Sequence, residues 1–179
     1  MMTIGADTKK RILSLGSQER NEFKAKLRNQ HSNIIDKAVK HRFTNNPNIG
    51  LARNDSTRLR RKWSNRNCSL CDVKTTKKLN QSNTVEVEHV IEQALGGGNN
   101  ISNLVPCCHK CNQILGRIFN YDILQSRELR WRDMPVTMWR RLIGDWIVFK
   151  LLLYCDREIA FTLFDSFRRQ FLSHYSKYP

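Results

Sequence analysis

Two groups of residues in this 179-residue chain could do chemistry. One is a pair of Cys-x-x-Cys knuckles, Cys68-Ser69-Leu70-Cys71 and Cys108-His109-Lys110-Cys111. The other lies between and just beyond them: the pair Glu88-His89, then Asn103, then Asn112. Carboxylate, imidazole, amides and thiols fall within about 45 residues, a span that one small domain can hold.

Two knuckles form a donor set for zinc. A two-residue spacer lets both sulfurs of a knuckle face one ion, and four thiolates complete a tetrahedral structural site. The expected ligands are Cys68, Cys71, Cys108 and Cys111. Buried free thiols are the competing reading, which two matched pairs argue against. Disulfides would need an oxidising compartment that nothing in the chain marks. Cys107 reads as a spare and Cys155 as an ordinary buried thiol.

The elements that must position these groups can be read in order. Thr84–Ile91 is β-branched and alternating, which predicts a strand. On such a strand Glu88 and His89 point to opposite sides unless it bends or ends there. Gly96-Gly97-Gly98-Asn99-Asn100 predicts a loop. Leu104-Val105-Pro106 predicts a second short strand, with Pro106 at an edge or an ending. Ile114, Leu115, Ile118 and Phe119 recur at helical spacing after the second knuckle. The order is strand, loop, strand, helix.

This stretch resembles the HNH endonuclease motif, the ββα-metal fold, in its zinc-stapled form. The resemblance rests on Glu88-His89-Val90, Gly96-Gly97-Gly98, Asn103-Leu104 and Cys108-His109-Lys110-Cys111-Asn112, and covers roughly residues 66–120. It implies an α+β fold: a small ββα-metal core with structural zinc, flanked by N-terminal helices and a C-terminal helical hairpin. It implies that His89 is the general base, that Asn103 orients it through the backbone, and that Glu88 and Asn112 hold a catalytic Mg²⁺ or Mn²⁺. Three positions depart from the pattern. Glu92 stands where many members have Pro, Leu115 replaces a frequent Lys, and Glu88 is Glu rather than Asp.

The chemistry agrees with those roles. A neutral imidazole near pH 7 can take a proton from water. A hard cation on oxygen ligands stabilises charge on a phosphate and its leaving oxygen. Taken singly, each residue also has an ordinary use: a packed histidine, a solvated glutamate, or asparagines in turns and caps. Their order between matched knuckles carries the argument.

The formal net charge is +15, which predicts a polyanionic partner, nucleic acid fitting best, and the resemblance implies DNA in preference to RNA. The charge is uneven. Residues 1–66 hold sixteen Lys/Arg against five Asp/Glu, residues 67–112 are neutral, and residues 113–179 carry +4. Three regions are therefore expected: a basic, mainly helical DNA-contacting region at 1–66, the nuclease core at 67–120, and a C-terminal helical region at 121–179. Residues 8–15 and 17–43 have helical character, with Ser17 and Ser32 as candidate caps, and the Asn/Pro/Gly stretch 45–50 ends it. Arg58, Arg60, Arg61, Lys62 and Arg66 form a basic run before the first knuckle and are the expected phosphate contacts, with Trp63 either packing on the core or stacking on a base.

In the C-terminal third, Trp131, Met138, Trp139, Leu142, Ile143, Trp146 and Ile147 recur at helical spacing, and Ile147–Tyr154 is apolar apart from Lys150. A second helix is expected from Asp156 through Leu172. Core packing is the expected use of these aromatics, since a ββα module alone buries little, and a homodimer face is the alternative. No apolar signal region opens the chain and no run of about 18 apolar residues occurs, so no membrane span is expected and the protein should be soluble and cytoplasmic, of bacterial or phage type. The expected function is endonucleolytic hydrolysis of DNA, leaving 5′-phosphate and 3′-hydroxyl ends as the resemblance implies. A catalytically silent zinc module that binds nucleic acid, or a nuclease subunit of a larger machine, are the other readings.

Overall fold

The computed structural model describes residues 4–44, 53–120 and 135–177. The expected turn at 45–50 and Trp131 lie outside these residues. Four helices precede the knuckles: α1 (Ala6–Leu13), α2 (Ser17–Gln30), α3 (Ser32–Thr44) and α4 (Arg53–Trp63). Ser17 and Ser32 are the first residues of their helices rather than side-chain caps. At α2 the Glu19 carboxylate instead accepts the Gly16 amide at 2.7 Å.

The basic run before the knuckle is the end of α4. Leu59 and Trp63, four residues apart, share one helical face and are buried with Val85 and Leu104. Arg58, Arg60, Arg61 and Lys62 occupy the rest of the helix surface and are exposed. Base stacking by Trp63 is thereby overturned, because its ring is spread over the sheet and is 5 % exposed.

The module itself is a hairpin and a helix. β1 (Val85–His89) pairs antiparallel with β2 (Leu104–Cys108), and α5 (His109–Arg117) follows. The register sets Glu86 opposite Cys107, Val87 opposite Pro106, and Glu88 opposite Val105. Alternation therefore turns Val85 and Val87 towards α4, and Glu86 and Glu88 towards the other face. Pro106 has no N–H to give the ladder, but its carbonyl accepts the Ser69 amide at 3.0 Å and so ties the first knuckle to β2.

The connection from β1 to β2 depends on two glycines. Gly96 has φ 83°, in the left-handed region where a side chain is strained. A Cβ on Gly97 would lie 1.8 Å from the Ile91 carbonyl oxygen. The chain can fold back on itself there only without a side chain.

The C-terminal elements are α6 (Val136–Leu153), α7 (Arg157–Leu163) and α8 (Asp165–Lys177), so the expected second arm is divided at Phe164. α6 is apolar nearly all round and is buried accordingly: Trp139, Ile143, Trp146, Ile147, Phe149 and Leu153 all lie in the core. Phe167 meets Trp146 edge-on at 5.4 Å, and Phe119 stacks on Trp146 at 5.7 Å. Each such side chain contributes about 1.5–3 kcal/mol by leaving water. The C-terminal aromatics thus pack in the chain's own core, together with residues of α3, β2 and α5.

Polar contacts fix the C-terminal helices to the rest. Arg157 donates to the Leu70 carbonyl inside the first knuckle. Asp156 caps α7 by accepting from the amides of Glu158 and Ile159, and receives Lys9 of α1 at 2.8 Å. Cys155 is exposed, against expectation, because it falls in the turn between α6 and α7 rather than on the buried face. No described helix is long and apolar enough to cross a membrane.

Candidate active site and thiol cluster

The four expected thiols converge. The Sγ atoms of Cys68, Cys71, Cys108 and Cys111 lie within 4.8 Å of one another. Cys71 and Cys108 are 3.7 Å apart, close to the edge of about 3.8 Å that tetrahedral Zn–S bonds impose. Backbone amides point at the sulfurs: Leu70 and Cys108 donate to Cys68 at 3.4 and 3.3 Å, and Cys111 donates to Cys108 at 3.4 Å. Such donors favour thiolate over thiol. The Cys68 thiol is driven down by contacts from Cys107, then Cys108 and Cys111, while Cys111 and Cys68 push Cys108 up. Four sulfurs this close cannot all ionise on their own, so the donor set suits a metal ion. Cys107 is buried 3.9 Å from Cys68, beside the four-sulfur group but outside it.

Glu88 leaves the end of β1 on the face that α5 and α6 cover. Its carboxylate meets the ammonium of Lys150, which also reaches Glu92 at 2.8 Å. The Tyr154 hydroxyl donates to the same Glu88 oxygen at 3.4 Å. Burial pushes the Glu88 carboxyl up, and Lys150 opposes that shift. Burial alone would lower the lysine, but the charges of Glu88 and Glu92 outweigh it and hold Lys150 above its ordinary value. Glu88 is thus no solvated strand charge.

Asn112 stands one turn into α5. Its Nδ2 donates to Glu86, whose other oxygen is 2.7 Å from His109 Nδ1. With Nδ2 engaged there, the amide oxygen is the end left for a ligand. Glu88, Glu92 and Asn112 line one open cleft of about 400 Å³ together with Gln113, Gly116, Arg117, Phe119 and Asn120. Carboxylate and amide oxygens are hard donors, and Glu92 Oε2 is buried without a hydrogen-bond partner, so the cleft fits a hard divalent cation.

His89 is not among the residues lining that cleft. Its Nε2 lies 3.0 Å from Asn99 Oδ1, which also accepts from Gln93 at 2.7 Å. An oxygen acceptor there keeps the proton on Nε2 and leaves Nδ1 as the basic nitrogen. Asn103 acts on the backbone that follows. Its side chain accepts from the Ile91 amide at 2.9 Å and donates to the Ile91 and Gly98 carbonyls, while its own carbonyl accepts the Val90 amide at 2.9 Å. The loop is therefore stapled next to His89 rather than at His89.

Arg58, Arg60, Arg61, Lys62 and Arg66 are all exposed, and no ion pair with another described residue engages them. Sequence reasoning missed Lys150, Glu92, Glu86 and Arg117 as parts of the site. The strand alternation that placed Glu88 also placed Glu86 on its face, so that signal was present. Leu115 is buried, whereas Arg117 two residues later lines the cleft.

Residues 68–126 match the family model described as HNH endonuclease. Over these residues the chain is similar to the HNH endonuclease family. The match begins at the first thiol of the cluster and takes in the whole hairpin, α5 and the cleft, which supports a nuclease-type function for the HNH module. No curated protein and no solved structure matches the chain.

Proposed function

We propose that the chain is a metal-dependent endonuclease that hydrolyses phosphodiester bonds of DNA. The observation that supports it most is the shared cleft: Glu88 from β1 and Asn112 from α5 line one opening beside a module of the HNH family. In this reading Glu88 and Asn112 hold one Mg²⁺ or Mn²⁺ ion, which when bound supplies positive charge to the phosphate and to the departing oxygen. His89 takes the proton from the attacking water at Nδ1, with the ring held by Asn99. Asn103 keeps the strand end in place. Cys68, Cys71, Cys108 and Cys111 bind a zinc ion with no open coordination position, so its part is structural.

The N-terminal region supplies the hold on DNA. Leu59 and Trp63 lock α4 onto the hairpin, which aims the exposed Arg58, Arg60, Arg61 and Lys62 outward from the module, with Arg66 just beyond the helix. Contacts of this kind grip phosphate without reading bases. Arg117 adds a cation at the cleft itself.

A plasmid assay tests the reading. Supercoiled DNA with the zinc-loaded protein should be converted to nicked or linear product in Mg²⁺ or Mn²⁺ and left intact in EDTA. Supercoiled plasmid surviving every divalent ion, with folded protein and full zinc, would sink it.

A further inference from the structure

Two features of the cleft have no role in that scheme: Glu92 and its contact with Lys150. We propose that Glu92 is a second carboxylate ligand of the divalent ion. The proposal rests on the cleft being an ion site, as argued above.

Geometry places Glu92 beside the two expected ligands. It lines the cleft with Glu88 and Asn112. Lys150 is fully buried on α6, is absent from the cleft lining, and approaches both carboxylates from the core side. It engages Oε1 of Glu88 and Oε1 of Glu92. Each carboxylate therefore has one oxygen held from behind. Glu92 Oε2 is buried and has no hydrogen-bond partner, a costly state for an ionised oxygen. A cation at that atom removes the cost.

The charges lead to the same place. Glu88 and Lys150 together sum to zero, which is a poor site for a dication. Adding Glu92 restores one net negative charge among these three groups, and Arg117 also lines the cleft. Lys150 of α6 and Glu92 thus offset one another beside Glu88. Glu88, Glu92 and Lys150 together keep the charge that a single carboxylate would give, with one more oxygen donor. Mg²⁺ and Mn²⁺ both accept such donors.

Glu92 is also held well enough to serve. Its carbonyl accepts the amides of Leu95 at 2.9 Å and Gly97 at 3.0 Å. The close approach of Gly97 to Ile91 and the Asn103 staple fix the backbone on both sides of it. A competing arrangement has the Lys150 ammonium take the place of the ion altogether.

Mn²⁺ binding to the full, zinc-loaded chain without DNA separates these cases. Free Mn²⁺ is read by electron paramagnetic resonance, with zinc content and the thermal midpoint as folding controls. Glu92→Gln should weaken Mn²⁺ binding by about tenfold to a hundredfold, the scale set by removing one unit charge beside a dication. Wild-type affinity in Glu92→Gln, with binding lost in Glu88→Gln, overturns the proposal and leaves the ion site standing. Unchanged affinity in both Glu88→Gln and Asn112→Ala would instead refute the ion site itself. Binding seen only in Lys150→Met and not in wild type would show the ammonium to be the substitute, which also overturns the proposal. Should Glu92→Gln not fold, Glu92→Asp keeps the charge beside Lys150 and carries the test. Its shorter arm should weaken Mn²⁺ binding, and wild-type affinity there counts against the assignment.

Discussion

The ammonium of Lys150 and the carboxylate of Glu88, 62 residues apart in the chain, form an ion pair in which the lysine is wholly buried and the glutamate nearly so. Such a pair adds little stability against an apolar substitute, but breaking it leaves an uncompensated charge. Lys150→Met should therefore cost about 3–5 kcal/mol at neutral pH, read by denaturant unfolding. The two carboxylates hold Lys150 above its ordinary value, so the lysine side of the pair is lost only as pH rises through the folded value, while the carboxylate side weakens at acid pH as Glu88, raised by burial, takes up a proton. In the variant the carboxyls can instead take up protons, so the deficit should narrow at acid pH. An equal deficit at pH 5 and pH 7.5 would contradict the pairing.

Removing the proposed base should stop cleavage and little else. His89→Ala should lower the rate by about 10²–10⁴-fold, the usual worth of a positioned general base, while zinc content and DNA binding stay near wild type. Asn99→Ala frees the ring without removing it and should cost less. A His89→Ala protein that cuts at the wild-type rate would remove His89 from the mechanism.

The thiols make a sharper distinction. Cys71→Ser should lose zinc and the cooperative unfolding transition, because structural zinc supplies folding free energy. Cys107→Ser should keep one zinc per chain, since Cys107 lies outside the four-sulfur group. Metal analysis with thermal denaturation checks both. Zinc lost from the second variant and kept by the first would reassign the ligands.

Asp156 predicts an acid-sensitive cap. Burial raises its carboxyl, but the Lys9 hydrogen bond and the α7 amides outweigh this and leave it below the ordinary aspartate value. A depressed value means stability that is present above the ordinary range and lost as pH falls through the folded value. Asp156→Ala should cost about 1 kcal/mol at neutral pH and progressively less below pH 4, measured by urea unfolding across pH.

The α4 surface should govern salt dependence. Arg60→Ala with Arg61→Ala should weaken DNA binding and reduce the slope of log affinity against log salt by about two, without changing unfolding. Filter binding across a salt series reads it. An unchanged slope would move the DNA path elsewhere.

Much of the module was legible because its signals are local. Knuckle spacing, β-branched alternation and the glycine loop each predict structure within a few residues, and the thiol cluster and hairpin follow them. Lys150 was not legible in the same way. Inside an apolar helix it reads as an interruption, and only the tertiary approach of Glu88 and Glu92 turns it into a counter-ion. Trp63 was obscured by the arginines around it, although its spacing of four from Leu59 already marked a buried face. The break at Phe164 had no glycine or proline to announce it, so α7 and α8 read as one helix. His109 showed no motif, and its partner Glu86 is 23 residues away.

Helix α6, which sends Lys150 under the cleft, makes the HNH-like module a poor transplant. A fragment trimmed at residue 120 would carry every motif position and all four sulfurs of the cluster, yet Glu88 and Glu92 would lose the ammonium that lies between them. Anyone grafting this module onto another scaffold would have to bring the lysine along, or remove the second acid with it.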